Sequence, residues 1–527
     1  MKLWEVGSAT YTSMIENHVN TEKIEVRNPG TLEKIGEAPV ASVADLPKYM
    51  ARAREAQALW RGTNFTERAR LLYRLRDLLI DEQERLADVV TAETGRPRAE
   101  AYGNELFYLC DAIGSWARNG QAYLKPRNVR PSFLLLKAKK VISTYSPLGV
   151  IGIISPWNFP LTLTLGEAIP ALMAGNAVIV KPSELTPLSA LFAQDLIIKA
   201  GFPNDLFQVL PGGGEVGEAL IDHVDMVAFT GSVETGKRVM RRAAERLIPI
   251  SLELGGKDPL IVLKDADVER ASSACVWGAL MNCGQTCTSI ERVYVEEPVY
   301  EVFIDKVVEK VGAIRQGPSE KDVDVGSMTS EVQLKKIEAQ IADAIHRGAK
   351  LLTGGRRNFQ LPGYYYEPTV LVDVDHSMDV MREETFGPVI PIMKVRDATE
   401  ALRLANDCRY GLSGSIFSRD KRNARRLAMA LESGSVCIND SLVTFVVPEA
   451  PMGGVKESGF GYRHGPEGIR KYCRQQTLVI ERFGLKREFH WFPGSERKTR
   501  QTRLLLEILC RSGLGNKLRA LARLARI

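Results

Sequence analysis

The sequence predicts an α/β protein with two tandem domains, each a mostly parallel sheet covered by helices. Three observations carry this prediction. From Gly149 onward, short and wholly apolar runs alternate with helical stretches, the pattern of buried parallel strands joined by crossover helices. A second such alternation begins at Pro259. With 527 residues, 45% hydrophobic and 25% charged, the chain has a globular composition and the length of roughly two to four domains.

Each element follows in order. Residues 1–24 are polar and read as a loose arm. From Leu46 to Leu106 the period is helical: Leu71, Leu75, Leu78 and Leu79 mark a buried face, and Arg70, Arg74, Asp77 and Asp81 a solvated one. Residues 126–149 are Pro-bounded and β-prone, which predicts an extended hairpin leaving the main body. VIGII (150–154), AVIVK (177–181), FQVLP (207–211), MVAFTG (226–231) and PISLEL (249–254) read as buried strands of the first sheet. PLIVL (259–263), RVYVE (292–296), TVLVDV (369–374) and VIPIMKV (389–395) read as strands of the second. Val299–Val311 and Val332–Arg347 read as its helices. There is no internal repeat and no low-complexity segment.

Charge and cysteine narrow the function classes. The net charge is +6, but residues 482–527 hold twelve Lys/Arg against three acidic residues, leaving the rest of the chain at −3. A slightly acidic body with a basic tail does not suit nucleic-acid binding, and none is expected. The eight cysteines show no C-x-x-C spacing, so zinc ribbons and thioredoxin-like motifs are excluded and free thiols are expected; no metal site is expected. The start MKLWEVGSAT has no apolar leader core, and no run reaches about 18 apolar residues, so a cytoplasmic protein is expected.

Several short segments carry chemistry. In Asn282-Cys283-Gly284-Gln285-Thr286-Cys287, small residues around a thiol suit a tight loop whose backbone amides stabilise a thiolate and later an oxyanion. A buried, inert cysteine is the competing reading. In Pro156-Trp157-Asn158-Phe159-Pro160, two prolines rigidify a turn that presents the Asn158 amide, or a purely structural turn. Glu253-Leu254-Gly255-Gly256-Lys257 sets a carboxylate beside a Gly-Gly turn after a strand. Thr230-Gly231-Ser232 opens a helix that can approach phosphates.

Taken together these segments resemble the aldehyde dehydrogenase superfamily. PWNFP, NAVIVKPSE, FTGSVETG, LELGGKDP, GQTC, EETFGPV and MGGVKESGFG occur in the family's order over residues 25–482, with the family's 34-residue spacing from Glu253 to Cys287. The resemblance implies two Rossmann-like α/β domains plus a small β oligomerisation element. It implies Cys287 as nucleophile, Asn158 with the Cys287 N–H as oxyanion hole, and Glu253 as the base that activates water. It also implies cofactor contacts at Trp157, Lys181, Ser183, Glu184, Gly231, Ser232, Glu384 and Phe386. A carboxylate at Glu184 repels a 2′-phosphate, so NAD is favoured, with NADP as the alternative. Gly212, Gly214 and Gly217 formally match G-x-G-x-x-G, but they do not follow the first strand of the unit, and the resemblance puts the phosphates at Gly231–Gly236. Cys283 is expected to be a packing or bystander thiol.

The implied domains are residues 25–125 and 148–255 for NAD binding, 256–452 for catalysis, 126–147 with 473–484 for oligomerisation, and 485–527 as a basic amphipathic extension. A homodimer or homotetramer is implied. The implied reaction is oxidation of an aldehyde to the acid through a hemithioacetal and thioester. Departures bear on the substrate. Tyr462-Arg463-His464-Gly465 replaces the family's Arg-acid pair after Gly461, so no relay role carries over. Met452 and Gly166 stand where many or some members have aromatic residues, which suggests a roomier tunnel. A hydrophobic medium- or long-chain aldehyde is the leading expectation. The alternative is succinic semialdehyde, because GQTCTSIERVYV and GYRHG resemble a bacterial branch that includes its dehydrogenases. Arg463 is then a candidate cation for the acid group, with a structural salt bridge as the competing role. A coenzyme A-acylating enzyme and a non-catalytic scaffold are the rivals, and Glu253 with Cys287 and Asn158 argues against both.

In the tail, Leu514, Leu518, Leu521 and Ala525 fall on one helical face and Arg519, Arg523 and Arg526 on the other, with Gly513 and Gly515 as a hinge after LLLEIL (504–509). Three readings stand: peripheral contact with an anionic membrane, packing against another subunit or gating of the tunnel, and a solvated extension.

Overall fold

The computed structural model describes residues 22–133, 136–484 and 486–525. They divide into two compact units, Met1–Leu124 with Pro147–Arg474, and Lys125–Ser146 with Gln475–Ile527. All eight cysteines are free.

The first unit holds two α/β sheets. One has six strands in the order Gly459–Phe460, Ile250–Glu253, Met226–Thr230, Val150–Ile154, Ala177–Lys181 and Phe207–Val209. All its pairings are parallel except the first. The other has seven, in the order Lys350–Thr353, Thr369–Val372, Val389–Val395, Ile290–Glu296, Asp258–Val262, Ser413–Phe417 and Ser435–Ile438, with only the first pair antiparallel. The expected α/β architecture is therefore present. Strands such as Ala177–Lys181 are buried at every position, which is why they read as continuous apolar runs and not as alternations.

The helices obey the expected faces. Phe65–Asp81 buries Leu71, Leu72, Leu75 and Leu79 while Arg70, Arg74, Asp77 and Asp81 stay exposed, and Leu78 sits between. Asn64 caps it by accepting from the Glu67 N–H at 2.9 Å. Pro160–Ala174 is buried along its whole length and stops at Gly175, whose φ of 98° only glycine adopts freely.

Three features depart from the sequence reading. Of the expected arm 1–24, residues 1–21 lie outside the described residues, and Lys23–Arg27 pairs with Lys34–Pro39 as an antiparallel hairpin. FQVLP forms a strand only over Phe207–Val209. Ser413–Phe417 and Ser435–Ile438 are strands that the apolar pattern does not reveal, because SGSIF and SVCI dilute it with Ser and Gly.

The second unit contains a three-stranded sheet, Cys473–Ile480, Lys140–Pro147 and Arg127–Val129, whose last pair is antiparallel. Helices Glu496–Cys510 and Leu514–Leu524 follow. LLLEIL thus lies inside a longer helix, and the break comes at Gly513, where φ is +90°. Leu504 and Ala520 are buried, and Glu507 lies 3.8 Å from Arg511 and 3.7 Å from Arg523. Arg526 of the expected polar face lies outside the described residues.

Candidate active site

The site forms where strands of the six-stranded sheet end. Glu253, Lys181 and Thr230 are the last residues of their strands, and Asn158 follows the strand Val150–Ile154 by four positions. This is the carboxyl edge, where open α/β sheets bind ligands. Met281–Gly284 brings the cysteine loop. After the helix Val268–Leu280 the chain turns through three left-handed residues, Asn282, Cys283 and Gly284.

A ring of amide hydrogen bonds holds that turn. Asn158 Nδ2 donates to the Gln285 carbonyl at 3.0 Å. Asn282 Nδ2 donates to the carbonyls of Asn158 and Gln285 at 3.0 and 3.1 Å. Gln285 Nε2 donates to the Asn282 carbonyl at 3.0 Å, and its Oε1 accepts from Thr329 N–H at 2.9 Å. The Asn282 N–H donates to the Glu100 carboxylate at 3.0 and 3.1 Å. Asn158 is buried, and one of its two amide hydrogens is committed to Gln285, which leaves the other for a ligand.

Two glycines let the loops close on one another. A Cβ on Gly256 would lie 2.3 Å from the Cys287 carbonyl oxygen, so the turn after Glu253 can rest on the Cys287 loop only without a side chain. A Cβ on Gly284 would lie 2.1 Å from the Gly387 carbonyl, so the cysteine turn also abuts the EETFGPV loop. That loop is anchored by the buried Lys257–Glu291 pair at 2.7 Å. Glu291 accepts from the Thr385 and Phe386 N–H groups at 2.6 and 2.8 Å.

Charge placement sets the protonation states. Glu253 is buried and its Oε1 has no hydrogen-bond partner among the described residues. Burial pushes its carboxyl up to about 7, although Arg463 and Lys471 pull it back. Burial pushes the Cys287 thiol up to about 12, with Arg463 opposing. Burial also drives the Cys283 thiol well up, and that side chain lies inside the apolar core, which agrees with a packing role. Arg463 is buried, lies 3.2 Å from Glu167 and donates to Thr230 Oγ1 at 2.9 Å. Burial would raise Glu167, but Lys471 at 2.7 Å and Arg463 outweigh it and hold the carboxylate at about 2. Arg463 is therefore engaged in a salt bridge and does not line the cavity at Cys287.

That cavity is narrow, about 80 Å³, and Cys287 lies in its wall. Its apolar walls include Phe159, Leu163, Trp277, Met281, Leu442 and Phe445, and no charged side chain lines it. Met452 and Gly166 are not among its walls. A Cβ on Gly166 would sit 3.8 Å from Arg463 Nη1 and from the Tyr108 hydroxyl, so those groups occupy the space an aromatic residue there would claim. The expectation of a roomier tunnel is corrected on this point. Sequence reasoning did not single out the wall residues, since each is an ordinary apolar residue until the fold gathers it.

The expected cofactor positions fall along the same strand ends. Lys181 Nζ lies 3.1 Å from Glu184 Oε2, with Lys181 buried and Glu184 exposed. Ser183 Oγ accepts from Leu185 N–H at 3.3 Å. Ser232 caps the helix Val233–Arg246 just after Gly231. Glu384 Oε1 accepts from Gly256 N–H at 3.0 Å, and burial lifts its carboxyl to about 7. Trp157 and Phe386 meet edge to face with ring centroids 5.4 Å apart. These groups fit a dinucleotide: a lysine and a carboxylate for ribose hydroxyls, a helix start for a pyrophosphate, and a second carboxylate on a Gly-Gly turn that has no side chain to displace it. Gly212–Gly214 instead lead into the helix Gly214–Ile221.

Comparison with known proteins finds likeness over most of the chain. The aldehyde dehydrogenase family profile matches residues 16–478. A Mycobacterium ulcerans (strain Agy99) protein named "Putative succinate-semialdehyde dehydrogenase (NADP(+)) 2" is 41% identical over 84% of this chain and 86% of its own. A 4,4'-diapolycopene aldehyde oxidase from Methylomonas sp is 40% identical over 88% of this chain and 86% of its own. The crystal structure of a Mycobacterium tuberculosis aldehyde dehydrogenase complexed with NAD+ has a TM-score of 0.84 at 34% identity, covering 89% of this chain and 96% of that one.

Proposed function

The chain belongs to the aldehyde dehydrogenase family and is an NAD(P)-dependent aldehyde oxidoreductase, and from that premise we propose that Cys287 is its nucleophile, Asn158 its oxyanion donor and Glu253 its general base. The Cys287 S–H proton leaves to water as Sγ forms a bond to the aldehyde carbon, and the carbonyl electron pair moves onto oxygen. The free Asn158 N–H and the Cys287 backbone N–H receive that charge, and the Asn158 amide is held before the reaction begins by its bond to Gln285. NAD(P), when bound, supplies the hydride acceptor. Glu253 then takes a proton from water, whose oxygen attacks the thioester and releases the acid. A carboxyl at about 7 is poised for this task, being largely ionised at slightly alkaline pH and still basic enough to accept a proton. Lys181, Ser183 and Glu184 would hold the adenosine ribose, Gly231 and Ser232 the pyrophosphate, and Trp157, Glu384 and Phe386 the nicotinamide end. Glu184 favours NAD over NADP through repulsion of a 2′-phosphate.

The substrate in this reading is a hydrophobic medium- or long-chain aldehyde. One observation carries it: the cavity at Cys287 has no charged wall. A carboxylate entering it would lose its hydration without a partner. The Methylomonas relative, named for an apolar polyene aldehyde, supports the same choice. Succinic semialdehyde is the second reading, and the relatives' names favour it more strongly, since several are named for that substrate. NADH formation across aldehydes of increasing chain length, beside succinic semialdehyde, decides between them. The expected outcome is kcat/KM rising with chain length, with turnover absent in Cys287→Ala. Preference for succinic semialdehyde would replace the apolar reading with the second. Full activity in Cys287→Ala would remove Cys287 as nucleophile.

A further inference from the structure

The unit formed by Lys125–Ser146 and Gln475–Ile527 carries a surface that catalysis does not use. Leu514, Leu518 and Leu521 are 75%, 56% and 46% exposed. Their spacing lines them along one side of the helix Leu514–Leu524. In the preceding segment Phe492 is 92% exposed, Phe489 and Trp491 beside it are exposed, and so is Leu506 on the helix Glu496–Cys510. A cavity of about 1050 Å³ opens in the same unit, walled by Phe133, Leu136, Phe489, Trp491, Leu506 and Leu509. Surfaces meant for water alone seldom gather so many large apolar groups.

The charge around this surface is mostly positive. Residues 482–527 carry twelve Lys/Arg against three acidic residues. Of those three, Glu507 lies beside Arg511 and Arg523, and Glu488 pairs with Lys139. Arg500, Arg503 and Arg519 are exposed or half-buried and make no ion pair among the described residues. No helix among the described residues is long and apolar enough to cross a membrane, so any lipid contact made by these helices is peripheral.

We propose that this unit docks on the surface of an anionic lipid bilayer, with the Leu514, Leu518 and Leu521 stripe and the Phe489–Phe492 loop in the interface and the arginines against headgroups. Charge complementarity selects this occupant. A nucleic acid would engage the cations and leave the leucines and aromatics in water. A second copy seated on the helices Glu496–Cys510 and Leu514–Leu524 would bring their basic faces against each other, and like charges would oppose it there, apart from any pairing of the three-stranded sheet. A bilayer with anionic headgroups satisfies both halves of the surface at once. The proposal goes beyond the active-site reading and does not depend on it.

The test is flotation of the full chain with phosphatidylcholine vesicles, with and without phosphatidylglycerol, at low and high salt. Flotation with phosphatidylglycerol vesicles is expected, weakened by salt. A fall of at least about tenfold is expected in the triple variant Leu514→Ser, Leu518→Ser, Leu521→Ser, and again in Arg500→Gln, Arg503→Gln, Arg519→Gln. NADH production from a short soluble aldehyde should be unchanged in both variants, which reports that the catalytic unit is intact. No flotation with either vesicle would overturn the proposal. So would flotation that survives both variants, or the leucine variant changing only the oligomeric state by light scattering. Failure of the aldehyde assay in the unmodified chain would instead sink the catalytic reading and leave the vesicle result standing.

Discussion

Glu253 can accept a proton only when ionised, and burial has lifted its carboxyl to about 7. The rate of thioester hydrolysis should therefore rise with pH through about 7 and level off above it, as read in kcat against pH. The same shift acts on stability with the opposite sense. A carboxyl raised in the folded state contributes stability fully below its unfolded value near 4.5, and loses it as pH rises through about 7. Glu253→Gln should give a single burst of NADH and then stall, with steady turnover down at least about a hundredfold. Sustained turnover in that variant would exclude Glu253 as the base. Arg463 supplies the positive charge that opposes the rise of both Glu253 and Cys287. Arg463→Gln should shift the kcat profile to higher pH by roughly one unit, and Arg463→Lys should restore much of it. An unmoved profile would reduce Arg463 to a structural partner of Glu167. The motif residues of the site were legible because each sits in a compact local signature. Glu100, Glu167 and Glu291 were not. Glu100 reaches Asn282 across 182 positions, and no local pattern announces such a pairing.

At the scale of elements, two turns decide whether the reacting groups meet. Gly284 combines a φ of +72° with a backbone carbonyl 2.1 Å from where its Cβ would lie. Gly284→Ala should cost at least roughly 1–2 kcal/mol from the left-handed conformation alone, and should lower kcat because the Cys287 loop must move. A thermal melt and a kcat measurement together check this. Unchanged values in both would show that the turn relaxes freely. Among the strands, the long apolar runs were legible because burial on both faces leaves no alternation to misread. Ser413–Phe417 escaped notice although it is equally buried, since its Ser and Gly carry no apolar signature: Ser413 Oγ donates to Asp258, and Gly414 lies against the Leu431 side chain. The Lys23–Arg27 hairpin escaped for the opposite reason, being polar and partly exposed.

At the scale of the whole molecule, the assembly expected from the family is a homodimer or homotetramer, in which the three-stranded sheet of the second unit pairs between copies. Sedimentation equilibrium should give a mass of two or four chains. A monomer across the accessible concentration range would rule this assembly out. The sequence by itself determined the α/β class, the family and the order of the motifs that hold Cys287, Asn158 and Glu253, because these depend on local pattern and on residues whose chemistry survives out of context. Only the tertiary structure decided that Arg463 is a buried salt-bridge partner, that Gly166 faces Tyr108 and that the cavity wall at Cys287 is uncharged. These properties belong to distances between segments far apart in the chain, and burial together with the charges enclosed beside each group sets its protonation.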